Sequence, residues 1–270
     1  MSSEQIEINK VHQEEPKREL VKYEDVQIDV IVDGKGPLIV MLPSFGRGSE
    51  DFDEVAAGIA SKGFRVLRPQ PRGIDRSSGP KKELTLHDFA RDVACVIESQ
   101  GSGGAIIVGH AYGNWIARMT AVNFPNLVRG VVIAAAGAKN YPPELNEYVN
   151  KCADMSLPET ERLKYLKVTF FAPGNDPSIW LTGWYKEVCE SQLHAEMVMK
   201  QEEWWSAGNG PLLDLQAAHD PFKPRDKSNE LKDELGERVS VVVIPNASHA
   251  LIPEQPQAVV NAVVAWARQL

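Results

Sequence analysis

Residues 105–115 read Ala105-Ile106-Ile107-Val108-Gly109-His110-Ala111-Tyr112-Gly113-Asn114-Trp115. The opening apolar run is short and rich in β-branched residues, as in a strand covered on both faces. From Trp115 to Asn123 the spacing turns helical. The six residues between must therefore turn a strand directly into a helix. Such a turn forces strand and helix backbones close together, and Gly109 and Gly113 supply the missing Cβ atoms that permit it. Ala111, between them, is predicted to hold a strained backbone with positive φ.

The pattern around this turn alternates strand with helix. Val26, Ile28, Val30 and Val32 alternate with polar or turn-side positions, as in a half-buried strand, and Asp33-Gly34-Lys35-Gly36 reads as a turn. The continuous apolar stretch Leu38–Leu42 is expected to return beside that strand as a hairpin. Residues 51–62 have helical spacing and stop at Gly63, and a strand is expected at 64–67. Further along come a helix at Leu86–Glu98, a strand at 131–135, Leu212–Ala217, a helix near 228–235, the strand Val239–Ile244 and a last helix at 256–269. Alternation of this kind implies a mostly parallel sheet with helices on both faces.

Residues 139–209 break the alternation with a helical pattern and no convincing strand. They hold Trp180, Trp184, Trp204 and Trp205, four of the six tryptophans. We read them as a helical cap over the carboxyl edge of the sheet, where open α/β sheets bind ligands. The organisation expected is an N-terminal extension at 1–20, a core at 21–138 and 210–270, and the cap at 139–209. Trp180 and Trp184, four apart and so on one helix face, are predicted to bind substrate over Ala111.

The turn has the strand–turn–helix context of the nucleophile elbow G-x-S-x-G. On that ground the chain resembles the α/β-hydrolase family from Val21 to Leu270, and four features in the family's order add to the resemblance. Leu42-Pro43-Ser44-Phe45-Gly46-Arg47-Gly48 takes the place of the oxyanion loop, with Pro43-Ser44 where His-Gly is common. The segment from Pro69 to Ser78 resembles the D-x-R-G-x-G-x-S loop, with Gln70 and Asp75 replacing its first Asp and second Gly, and is given no catalytic role. Asp220-Pro221 follows a strand where the family carries its acid. His249 follows the last strand where the family carries its base.

The resemblance therefore implies an α/β-hydrolase fold with an inserted helical cap, and a catalytic set of Ala111, Asp220 and His249. The oxyanion donors would be the N–H groups of Phe45 and Tyr112. Asp214, near its strand's start, and Asp226, further on, are weaker acids for the role. His110 is read as support for the turn and His219 as a turn residue, while His12, His87 and His194 lack context. Arg47 reads as a solvated side chain, the alternative being a contact with a substrate carboxylate.

A methyl group cannot attack a carbonyl, so Ala111 leaves the nucleophile missing. Two explanations stay open: a Ser→Ala change in an otherwise intact hydrolase of esters, lactones or similar small apolar or aromatic carbonyl compounds, or a natural serine-free protein. In the second case the Asp220–His249 dyad could act as a general base, in a lyase or cofactor-free oxygenase, or the chain could be a small-molecule receptor.

Composition narrows the partners. The 270 residues are 43% hydrophobic and 24% charged, ordinary globular usage, with a formal charge of −8. An acidic chain lacks the clustered basic face that nucleic acid or an anionic membrane requires. No apolar run approaches the ~20 residues of a membrane span. Cys95, Cys152 and Cys189 are an odd number without metal-ligand spacing. The first residues are polar and lack the apolar core of a secretory signal, so a cytoplasmic location is expected. A small-molecule substrate is the expected partner, a homodimer is the assembly left open, and no metal or organic cofactor is implied.

Overall fold

The computed structural model describes residues 16–101 and 103–270. Residues 1–15 of the expected extension, His12 among them, lie outside the described residues. The sheet begins earlier than the boundary at residue 20: β1 (Lys17–Tyr23) pairs antiparallel with β2 (Val26–Gly34). The remaining strands are β3 (Leu38–Leu42), β4 (Arg65–Pro69), β5 (Ala105–His110), β6 (Val128–Ala134), β7 (Leu212–Ala217) and β8 (Val239–Ile244). Among the described residues they form one eight-stranded sheet in the order β1-β2-β4-β3-β5-β6-β7-β8, parallel from β4 to β8.

The expected β2–β3 hairpin does not form. β2 pairs antiparallel with β4, and β3 lies beyond β4, paired in parallel with β4 and β5. All five β3 residues are buried, so the strand needs cover on both faces and a neighbour on both edges.

The alternation within β3 sorts the two cores. Val40 and Leu42 pack on one face with α2 (Leu86–Glu98) and α3 (Tyr112–Asn123). Ile39 and Met41 pack on the other with α1 (Asp53–Ala60) and, near the C-terminus, the helix Pro256–Ala267. Local chemistry defines these helices. Thr85 and Asp88 form a capping box at the start of α2, and Pro256 opens the last helix, where a missing N–H costs nothing.

Between β6 and β7 the described structure is helical: α4 (Glu144–Ala153), α5 (Glu159–Thr169), α6 (Lys186–Val198) and α7 (Gln201–Trp204). After β7 come α8 (Glu230–Leu235), α9 (Leu251–Glu254) and α10 (Pro256–Ala267). None of the helices of the described residues is long and apolar enough to cross a membrane.

The segment from Pro69 to Ser78 is a polar clasp. Arg72 grips Asp92 of α2 with Nε and Nη2 at 2.9 and 2.8 Å, Arg76 grips the fully buried Asp29 of β2, and Ser77 Oγ donates to Gln70 O at 2.9 Å. Gln70 Oε1 accepts the Ser49 N–H at 2.8 Å, a bond that an Asp side chain is one methylene short of reproducing in place.

Candidate active site

Ala111 sits between β5 and α3 at φ 47° and ψ −113°. This conformation costs a non-glycine residue on the order of 1–3 kcal/mol and persists only where the surroundings impose it. They do so here by hydrogen bonding: Ala111 N–H donates to Ala134 O of β6 at 2.9 Å, and both the backbone and the side-chain amide of Asn114 donate to Ala111 O. A Cβ on Gly113 would come within 2.6 Å of Pro43 O. Glycine there lets α3 start directly against the loop that follows β3.

That loop and the start of α3 present two backbone donors. Among the described residues neither the Phe45 nor the Tyr112 N–H has an acceptor, Tyr112 being the first residue of its helix. The neighbouring Gly46 N–H is committed to Gln192 Oε1 of α6 at 2.7 Å, and Tyr112 Oη donates to Gln192 O at 3.0 Å. One α6 residue therefore braces both the loop and the helix start, leaving the two free N–H groups next to the Ala111 turn.

Asp220 and His249 come from turns after β7 and β8. They meet as a buried pair: Asp220 Oδ2 and Oδ1 lie 2.9 and 3.1 Å from His249 Nδ1. Because a carboxylate only accepts, Nδ1 carries the proton and the Nε2 lone pair is left over. Asp220 is itself held, accepting the Phe222 N–H at 2.9 Å. The Phe222 ring lies 4.1 Å from the imidazole and fixes its plane, and Ala250 N–H ties the histidine loop to Phe170 O at 2.7 Å.

His110 is fully buried one residue before the turn. Its Nε2 lies 2.7 Å from His249 O, so Nε2 carries a proton and donates it. Burial, with smaller contributions from His249 and Arg47, pushes its pKa down to about 3. It is thus a neutral strut between elbow and histidine loop. Asp214 is buried on β7, taken up by Lys223 at 2.6 Å and Gln216 at 2.8 Å. Asp226 lies in a 3₁₀ turn at Arg225–Lys227 whose residues are not buried, and His219 is exposed beside the acid turn.

Ala111, His249, Phe45 and Tyr112 share a cavity of about 300 Å³. Its other walls combine aromatic residues, Trp115 of α3, Trp204 and Trp205 at α7, Phe170, Phe222 and Tyr141, with aliphatic and amide side chains such as Val149, Asn146 and Asn150. Trp180 and Trp184 are outside this lining, contrary to expectation. Trp180 belongs to a 3₁₀ turn and Trp184 to the loop after it, not to one helix face. Trp184 Nε1 donates to Trp180 O at 2.6 Å, and both rings pack behind Phe170. They hold Arg47, whose guanidinium carbon sits 4.5 Å from the Trp180 ring centre and 5.0 Å from that of Trp184. Arg47 is buried and paired with Asp51 at 2.6 Å, so it is neither solvated nor turned to a ligand.

A family model described as the alpha/beta hydrolase family matches residues 39–262. The chain belongs to that family. Over 107 residues it is 29% identical to 2-(acetamidomethylene)succinate hydrolase of Mesorhizobium japonicum, a match covering 40% of this chain and 38% of that protein. The chain thus spans about two fifths of that curated relative's length. A longer match, 21% identical over 258 residues, covers 87% of this chain and 80% of the sn-1-specific diacylglycerol lipase ABHD11 of Danio rerio. Among solved structures, an esterase of Exiguobacterium antarcticum superposes with a TM-score of 0.77 at 16% identity, over 92% of this chain and 98% of that one.

In this alpha/beta hydrolase, sequence reasoning located the elbow and the Asp220–His249 pair. Of the four tryptophans expected in the cap, Trp204 and Trp205 line the cavity. Sequence reasoning missed Phe170, Phe222 and Tyr141. Phe222 carried a signal, as an aromatic two residues past the acid turn; Phe170 and Tyr141 lie in stretches with no local pattern that sets them apart. The three cysteines are free thiols. Among the described residues no group of three His, Cys, Asp or Glu side chains is arranged to hold a metal ion.

Proposed function

We propose that this chain is an enzyme that acts on a small, largely apolar carbonyl compound by general-base catalysis, without an acyl-enzyme. His249 Nε2 takes a proton from the substrate carbon next to the carbonyl. The C–H electron pair becomes the C=C bond of an enolate as the carbonyl π pair moves onto oxygen, and that oxyanion accepts hydrogen bonds from the Phe45 and Tyr112 N–H groups. Asp220 keeps the imidazole in the productive tautomer and stabilises the imidazolium until the proton is returned. The acyl-enzyme route of a serine hydrolase is closed because Ala111 has no lone pair.

The observation that carries this reading is the buried Asp220–His249 pair, at 2.9 Å, on the wall of an aromatic cavity with its second ring nitrogen free. A pure receptor would bear the desolvation of this pair for no chemical return. The relatives named hydrolase, lipase and esterase support a carbonyl substrate class.

Solvent exchange tests the proposal. In D₂O the protein should catalyse deuterium uptake next to the carbonyl of phenylacetone, followed by NMR or mass spectrometry. His249→Ala should lower kcat by at least ~100-fold, and Asp220→Asn by a similar factor. Exchange that is equally fast in wild type and His249→Ala would refute the base assignment.

A further inference from the structure

One carboxyl side chain lines the cavity, among aromatic, aliphatic and amide side chains. Glu196 lines the cavity from α6, and among the described residues it has no hydrogen-bond donor and no cationic partner. The two tyrosines on the same wall do not serve it. Tyr112 Oη donates to Gln192 O at 3.0 Å, and Tyr141 Oη donates to Asn146 Oδ1 at 3.0 Å. Burial pushes the Glu196 carboxyl above its ordinary range, with no neighbouring cation to pull it back. Glu196 is half-buried, so its carboxylate loses part of its hydration without gaining a partner, and a donor brought by a ligand would offset that loss.

Its position is specific. Gln192, which braces the loop of Phe45 and the hydroxyl of Tyr112, lies four residues earlier on the same helix. Residues four apart share a face, with Cβ atoms roughly 5–6 Å apart. Glu196 thus lies one helical turn from the brace of the two free N–H groups. A ligand carbonyl at those groups would place a substituent a few bonds away at Glu196.

We propose that Glu196 is a specificity residue that selects ligands carrying a protonated amino group, held against its carboxylate while an aromatic or branched apolar body lies on Trp115 and Trp204. The inference deepens the proposed function and rests on it for the cavity being the substrate site. It adds that the substrate class is amino-substituted carbonyl compounds rather than purely apolar ones.

Equilibrium binding tests this without turnover. Trp115, Trp204 and Trp205 report occupancy by fluorescence, and 2-phenylethylamine and 2-phenylethanol are matched in size and ring but differ in charge at neutral pH. Wild type should bind the amine at least about tenfold more tightly, the reach of a charge-assisted hydrogen bond. Glu196→Gln should abolish that preference at unchanged alcohol affinity. Glu196→Lys should disfavour the amine and favour 3-phenylpropionate. Equal binding of amine and alcohol by wild type, binding of neither, or a preference that survives Glu196→Gln would overturn the proposal. An intact amine preference in a protein that catalyses no exchange would overturn the proposed chemistry and leave this site standing.

Discussion

Ala111 is held at φ 47° although nothing at that position attacks a substrate. The strain is imposed by Ala134 O and Asn114 from outside the residue, so it survives whatever side chain occupies the turn. Ala111→Ser should therefore fold with the same backbone and add one oxygen beside a base that is already paired and oriented. Because the members of a triad act together, completing the set should recover several orders of magnitude in ester hydrolysis. The expected outcome is stoichiometric labelling by a fluorophosphonate together with p-nitrophenyl acetate turnover, both absent from the unmodified chain. A folded Ala111→Ser protein that remains unlabelled would mean that the elbow and His249 are too far apart for proton transfer.

A buried cation, Arg47, is one of the ties between the core and the helices that lie between β6 and β7. Arg47 donates to Asp51 on the core side and, through Nη1, to Thr182 O on the other at 2.7 Å, with two indole rings over its guanidinium. Methionine would keep the stem but strip Asp51 of its partner. Losing one member of a buried pair costs about 3–5 kcal/mol, and two cation–π contacts go with it. Arg47→Met should lower unfolding stability by about 3 kcal/mol in urea titrations. Its amide exchange should rise first across residues 177–184 and least in β5. Uniform acceleration in both regions would show that Arg47 supports the whole fold and not this junction. Trp180 and Trp184, expected over Ala111, pack around Arg47 instead, and the cavity-facing indoles are those of Trp115, Trp204 and Trp205.

Across the molecule, stability should depend on pH through His110. The unfolded chain protonates this residue below its ordinary value of 6.5, whereas the folded chain resists protonation down to about 3. Between those limits the unfolded state binds more protons, so folded stability falls as pH falls, by up to ~1.4 kcal/mol per pH unit from this one group. Urea unfolding should show wild type losing stability between pH 7 and pH 5. His110→Gln, which can still donate to His249 O, should lose markedly less. Parallel losses in the two proteins would shift the origin of the acid sensitivity to other groups.

Much of this molecule is legible in its residues where a short stretch is sufficient cause. Leu86–Glu98 and Val239–Ile244 keep their read bounds because a capping box and an uninterrupted β-branched run act within a few residues. The elbow is legible because only glycine fits the close approach at 109 and 113. Asp220 and His249 are legible because each follows a strand end in an order set by chain topology. Strand order is different in kind. The place of β3 beyond β4, and not beside β2, depends on which arrangement buries five apolar residues on both faces, a comparison no local pattern encodes. The same holds for Arg47, a polar residue in a polar-looking loop until two indoles distant in the chain close over it. It holds also for Glu196, one glutamate among many on helices until the fold turns it inward and supplies it no partner. Backbone sterics and side-chain periodicity act over a few residues and so leave a trace in sequence. Burial, pairing and cavity shape are sums over contacts from remote segments, and they come into being only when those segments meet.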